Sequence, residues 1–352
     1  MALFGRSTER MLQWILEQIG LKTVALEVTS QCNQSCAFCY NVWKCGSYPP
    51  GQLDTKHTLN LIDRIIQVWR PQVISFTGGE PMLRNDICEL ISHASPNVSC
   101  NLITNGTLIN EQSAKDLVNA GVKIFEFTLL SAERDVHNSL VGRESFDELI
   151  EAIASVKAAG GKTIATFVAT SHNIHTWPET LELCVALGMN GILFNRFNVG
   201  GAGVAAAAEL MPSIEEITWA LETANKGVSK YGISISCGVP IPLCVIDTKP
   251  YRNLHFSNCA VGTKRAYPVI DPTGNVRPCN HSALILGNLF ETDMRELLSN
   301  EASKAYARGV PKACTGCRYV KNCRGGCRAA SEACGTCGGI DPFVTLCNAR
   351  EG

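Results

Sequence analysis

The sequence carries no excess of charge of either sign: 31 Lys and Arg face 32 Asp and Glu, for a formal net charge of −1. That balance excludes the bulk basic field by which a protein holds nucleic acid or an anionic membrane. Long hydrophobic runs are missing too. The apolar stretch at 11–21 is interrupted by Gln13, Glu17 and Gln18, which leaves it too short and too polar to span a bilayer or serve as a signal peptide. There is no low-complexity tract and no internal repeat beyond the alternation described below, although 200–208 reads as a small-residue loop. A chain of 352 residues that is 45% hydrophobic can bury a substantial core. A cytoplasmic protein with one large domain and a smaller appendage is expected.

What is abundant is cysteine. Eighteen cysteines in a chain without an export signal far exceed what a reduced core uses as small hydrophobes, and this points to metal ligation. Cys32, Cys36 and Cys39 sit together, and nine more lie between Cys259 and Cys347. Cys88, Cys100 and Cys184 are isolated and read as buried, inert thiols.

Short β-rich runs alternate with amphipathic stretches from about residue 24 to 230, the pattern of repeated strand–helix units. Strands are expected at 23–28, 73–76, 99–103, 123–129, 163–169 and 191–194, and helices at 60–69, 114–120, 146–159, 178–187 and 214–230. Six such units are too few to close an eight-stranded barrel, so the fold class is α/β, an open, partial (βα)6 TIM-like barrel. Three divisions follow: an N-terminal helix over 1–22, the barrel over 23–230, and a cysteine-rich C-terminal domain over 231–352 held together by metal clusters.

Directly after the first expected strand comes Cys32-Asn-Gln-Ser-Cys36-Ala-Phe-Cys39. Three thiolates can hold three irons of a 4Fe–4S cube and leave the fourth iron open, whereas zinc would require a fourth ligand such as Cys45. The loop resembles that of the radical SAM superfamily in Cys32, Cys36, Phe38 and Cys39. Thr77-Gly78-Gly79-Glu80-Pro81 is similar to the family's GGEP motif, Thr104-Asn105-Gly106 follows the third strand, and Thr128 stands where relatives carry Ser. The resemblance implies an open iron that chelates S-adenosylmethionine (SAM) and splits it to a 5′-deoxyadenosyl radical. It assigns cofactor contacts to Phe38, Gly78, Gly79, Glu80, Asn105 and Thr128; Arg143 and Asn195 read as structural.

Cys259 is followed by fourteen residues, Gly274, four residues and Cys279, then by Cys314-x2-Cys317-x5-Cys323-x3-Cys327 and later Cys347. Paired zinc ribbons account for the CxxC elements but not for Cys259, Gly274 and Cys279 together. The spacing resembles the SPASM signature throughout. That resemblance implies three 4Fe–4S clusters in all. One auxiliary cluster would use Cys259, Cys279 and Cys327, its fourth iron either bound by Cys244, the nearest upstream thiol, or left open for substrate as in some relatives; the other would use Cys314, Cys317, Cys323 and Cys347. Cys334 and Cys337 form a further CxxC outside the signature.

SPASM enzymes mostly modify peptides or proteins, so the leading expectation is an oxidoreductase that matures a ribosomally made peptide by crosslinking or oxidation. Two alternatives are a small-molecule radical enzyme, acting on a tetrapyrrole side chain or a carbohydrate, and a non-catalytic iron–sulfur electron carrier. Where sulfatase-maturing relatives place an Asp base, this chain has Asn280 followed by His281, which puts formylglycine formation in doubt and leaves His281 either as a substitute base or as a surface residue. About two dozen residues precede the first strand, so either a separate leader-binding protein presents the peptide or the substrate is small. A flavodoxin- or ferredoxin-type donor would supply the electron, and neither nucleic acid nor membrane is an expected partner.

Overall fold

The computed structural model describes residues 21–45, 48, 51–263, 265–335 and 338–348, without the side chains of 45, 294, 347 and 348. The expected N-terminal helix therefore lies almost wholly outside the described residues.

Six parallel strands run in sequence order through the sheet: β1 (Thr23–Thr29), β2 (Val73–Gly78), β3 (Ser99–Thr104), β4 (Val122–Thr128), β5 (Lys162–Ala169) and β6 (Gly191–Arg196). Each is followed by at least one helix, as right-handed crossovers between parallel neighbours require. Capping residues set where these helices start, which for two of them is earlier than the expected 60 and 114, at Thr55 and Glu111. Asp54 caps Thr55–Trp69, accepting from His57 N at 2.8 Å, and reciprocal capping boxes open Glu111–Ala120 at Asn110 and Ile214–Tyr231 at Ser213.

The two faces of the sheet differ, and that difference builds the site. Alternate residues such as Phe76, Leu102, Phe125, Phe127, Phe167 and Phe194 are completely buried beneath the helices, together with Trp177. Each such aromatic contributes about 1.5–3 kcal/mol by leaving water. The intervening residues, among them Asn101, Glu126, Thr128, Thr166 and Asn195, are only half-buried and line the concave face.

The sheet does not stop where the helical periodicity ends. Beyond residue 231, β7 (Ser234–Cys237) pairs in parallel with β6 and β8 (His255–Phe256) with β7. At the opposite edge β9 (Val269–Ile270) pairs in parallel with β1 and leads through a tight turn into β10 (Asn275–Arg277), which pairs with β11 (Gly287–Asn288). The result is one 11-stranded sheet, so the C-terminal segment is welded to both edges of the barrel rather than appended to it. Gly274 sits in the β9–β10 turn at φ +90°, where the Asp271 carboxylate gathers the backbone N–H groups of Thr273 and Asn275. The fixed glycine of the cysteine signature thus makes the hairpin that delivers Cys279. Among the described residues no helix is long and apolar enough to cross a membrane.

Candidate functional site

The Cys32–Cys39 loop leaves the C-terminal end of β1 and is pinned from several sides. Ser35 N donates to Val141 O at 3.1 Å, Ala37 N to Leu140 O at 3.0 Å and Asn41 Nδ2 to Gly78 O at 3.1 Å. Asn33 bridges to the third strand's loop, donating to Thr107 Oγ1 at 2.8 Å and accepting from Asn105 Nδ2 at 2.8 Å. Phe38 is buried, whereas the three thiols are half-buried. Burial, with Cys39 and Cys32 adding to it, pushes the Cys36 thiol up to about 12, and burial raises Cys32 as well. These thiols stay protonated until a metal displaces the proton.

Gly78 and Gly79 lie at the closest approach of β2 to this loop. A Cβ on Gly79 would meet Gln31 O at 2.0 Å, and one on Gly78 would meet Thr29 O at 2.3 Å. Gly79 N donates to Thr29 O and Glu80 N to Gln31 O, each at 2.8 Å. The buried Glu80 carboxylate braces the neighbouring loops: it accepts from Met82 N at 3.0 Å, Thr104 Oγ1 at 2.8 Å and Asn105 N at 2.7 Å. Burial raises its pKa against those three donors. Thr128 ends β4 half-buried on the same concave wall. The cysteine loop, the Gly78–Glu80 loop and Asn105 thus converge at the strands' C-terminal ends, where βα folds place their chemistry.

Arg277 of β10 joins the C-terminal segment to the barrel. Its guanidinium pairs with Glu27 of β1 and donates to Asn280 O at 3.2 Å and Ser282 O at 2.9 Å, so it shapes the turn that carries Cys279. Burial pushes the Glu27 carboxyl up to about 7, with the guanidinium acting the other way. On that turn Asn280 Nδ2 donates to Tyr40 Oη at 3.1 Å, and the His281 ring packs on Tyr40 with centroids 4.1 Å apart. Tyr40 directly follows Cys39, so these contacts place His281 where the first thiol loop meets the C-terminal thiols. Burial, followed by Arg196 and Arg277, pushes the imidazole down to about 3 and keeps it neutral.

The C-terminal thiols fall into two sets. Cys279 is within electrostatic reach of Cys327 and Cys259; Cys314 is within reach of Cys317, Cys323 and Cys244. Cys244 is within electrostatic reach of Cys323 and Cys317, and Arg196, which holds Pro240 O at 2.8 Å and Asp341 at 2.5 Å, anchors the chain four residues before it. The Cys347 side chain and Cys337 lie outside the described residues, and Cys334 is exposed. Cys100, Cys184 and Cys237 are buried with thiols pushed up to about 12 by burial, and Cys88 is half-buried. Arg143 pairs with Glu148 on the surface, and Asn195 Oδ1 accepts from Gly238 N and Val239 N, so both are occupied structurally.

Both thiol environments fit iron–sulfur clusters. Among the described residues no three His, Cys, Asp or Glu side chains are gathered for a single metal ion. Buried Arg328 donates to Cys259 Sγ at 3.7 Å yet leaves Nη2 without a partner, a buried cation next to thiols that calls for further negative charge. Sequence reasoning missed Glu126, a carboxylate on the concave wall that accepts from Thr166 Oγ1 at 2.6 Å and whose pKa burial raises. Its phase in the alternating strand was the available signal.

Two family models match this chain: the radical SAM superfamily over residues 26–184, and the iron–sulfur cluster-binding SPASM domain over 259–327. The PqqA peptide cyclase of Xanthomonas campestris pv. campestris (strain 8004) is 27% identical over 343 residues, covering 94% of this chain and 88% of that protein. The AdoMet-dependent heme synthase of Nitratidesulfovibrio vulgaris is 27% identical over 330 residues, covering 88% and 87%. Streptococcus suis SuiB bound to S-adenosylmethionine superposes with a TM-score of 0.75 at 15% identity, over 97% of this chain and 81% of that one. The anSMEcpe structure with bound AdoMet gives 0.71 at 18% identity, over 92% and 94%. At these identities the two structures establish the fold.

Proposed function

This chain belongs to the radical SAM superfamily and carries a SPASM iron–sulfur domain, and on that premise we propose that it matures a ribosomally made peptide by abstracting hydrogen from a side chain. It is a radical SAM enzyme that uses SAM and iron–sulfur clusters. SAM bound at the open iron supplies the 5′-deoxyadenosyl radical; the protein's part is to hold and orient. Cys32, Cys36 and Cys39 would hold the radical cluster. Gly78, Gly79, Glu80, Asn105 and Thr128, with Phe38 packed behind the loop, would hold SAM. Two auxiliary clusters bring the count to three. The inner one takes Cys259, Cys279 and Cys327. The outer one takes Cys314, Cys317 and Cys323, with Cys244 and Cys347 as the two thiols that compete for its fourth iron.

The observation that carries the peptide reading is the row of half-buried residues along β3–β6, from Asn101 to Asn195, together with the Asn280–Tyr40 contact that joins the first thiol loop to the turn of Cys279. The relationship to PqqA peptide cyclases over most of the chain supports it. Asn280 lacks the carboxylate that formylglycine formation would use, and its amide is engaged by Tyr40. His281, packed on Tyr40 beside the inner thiols and held neutral, would serve as a hydrogen-bonding neighbour of the substrate rather than as a strong base. A separate leader-binding protein, a flavodoxin- or ferredoxin-type donor and a cytoplasmic setting that keeps thiols reduced complete the proposal.

The relationship to the heme synthase favours a second reading, a small tetrapyrrole substrate. One experiment separates them. Reconstituted, reduced enzyme is incubated with SAM and either short Cys- or Tyr-rich precursor peptides or tetrapyrrole carboxylates, and products are followed by mass spectrometry. Loss of two hydrogens from a peptide supports the first reading. Turnover of tetrapyrrole alone refutes it.

A further inference from the structure

The inner thiols are served by two side-chain donors that no part of the SAM site requires. Asn198, two residues beyond β6 and 5% exposed, directs Nδ2–H to Cys327 Sγ at 3.3 Å, and its Oδ1 has no partner. The opposite amide orientation would set a carbonyl oxygen against a thiolate, so charge fixes the donor toward sulfur. Arg328, 6% exposed, directs Nη1 to Cys259 Sγ at 3.7 Å, anchors Nε on Gly309 O at 2.8 Å and leaves Nη2 unpaired.

The Cys327 backbone beside these donors is anchored to β6. Asp341, fully buried, accepts from Cys327 N at 2.7 Å and pairs with Arg196 of β6, whose guanidinium lies 4.7 Å from the Phe343 ring centre. The outer thiols are treated differently. Among the described residues their sulfur donor is a backbone group, Tyr319 N to Cys317 Sγ at 3.4 Å, and Cys314 and Cys317 are half-exposed.

We propose that Asn198 and Arg328 are positioning residues that raise the reduction potential of the inner auxiliary cluster. The proposal rests on the reading of Cys259, Cys279 and Cys327 as ligands of that cluster. Reduction adds one negative charge to the cluster and its thiolates. An N–H aimed at a ligand sulfur, and still more a guanidinium held in a buried site, stabilises that added charge more than it stabilises the oxidised state. Both side chains are buried, and Arg328 is tethered through Nε to Gly309 O, which limits the reorganisation needed when the electron arrives.

The test is an EPR-monitored redox titration of the reconstituted holoenzyme, with iron content measured in parallel. The inner signal is the one lost in C259A/C279A. Asn198→Leu should shift its midpoint to lower potential. Arg328→Met should shift it further, because a charge is removed as well as a donor, and Arg328→Lys should restore most of that second shift. The outer signal should not move. An unchanged inner midpoint at full iron content overturns the proposal. So does loss of inner iron in all three variants, which would make the contacts merely structural. If C259A/C279A loses no iron and no signal, the ligand reading itself has failed, which is a distinguishable outcome.

Discussion

Replacing Gly79 with Ala tests the SAM site without touching a thiol. The added Cβ would lie 2.0 Å from Gln31 O and 2.9 Å from Ser30 O, so the chains must part by about 1 Å before contact becomes tolerable. Neither side can yield cheaply. Gln31 O is the acceptor for Glu80 N, Thr29 O is the acceptor for Gly79 N, and Glu80 itself holds Thr104 and Asn105 in register. Moving the strand end therefore displaces the thiol loop and the Asn105 loop relative to each other. A displacement of about 1 Å in a positioning element costs on the order of 100-fold in rate. The assay is 5′-deoxyadenosine formation by the reconstituted enzyme under dithionite at saturating SAM, alongside iron content. We expect a drop of roughly 100-fold with iron unchanged. Deoxyadenosine formation within about threefold of the parent rate would refute the placement of SAM at this loop.

Three further outcomes are expected. Replacing Cys32, Cys36 and Cys39 together with Ala should abolish deoxyadenosine formation and spare the auxiliary iron; SAM cleavage by this variant would show that the loop is not the radical site. Arg277→Met leaves Glu27 buried without its partner and should cost about 3–5 kcal/mol, whereas E27L/R277M, which removes both charges, should recover most of it. Denaturant midpoints of the anaerobic proteins measure this, and equal loss in single and double variants would mean that the pair itself contributes nothing. Finally, Cys244 should resist alkylation in the holoenzyme and react after the iron is chelated, because it stands with Cys317 and Cys323. A labelling rate indifferent to iron would assign the fourth outer ligand to Cys347.

Legibility from sequence follows the range of the forces involved. The strands β1 to β6 were readable to within a residue or two because β3 to β6 hide one face under helices and alternate, while β1 and β2, buried on both faces, stand out as short apolar runs. The short strands β7 and β8 left no such record. Four residues, Ser234–Cys237, and two, His255–Phe256, carry too little apolar pattern to declare themselves, and their pairing is dictated by a sheet edge already formed at β6. The same physics explains the reading of the thiols. Spacing within Cys314–Cys327 is local and survives as a pattern, whereas the neighbours of Cys244 are set by the fold, which brings Cys323 and Cys317 within its electrostatic reach. The buried Arg196, fixed by Asp341 from 145 residues away, ties Pro240 to the end of β6 and to the backbone of Cys327, a link across the chain that no local pattern records. Asn198 and Arg328 lie at the far end of this scale. Nothing in their neighbourhoods distinguishes them from ordinary loop and helix residues, and their significance arises only where the end of β6 and the last cysteine of the CxxxC pair meet in space. Residues that tune a cluster, unlike those that ligate it, are therefore visible only through tertiary contact, which is why the potential of the inner cluster is the measurement on which the structure adds most to the sequence.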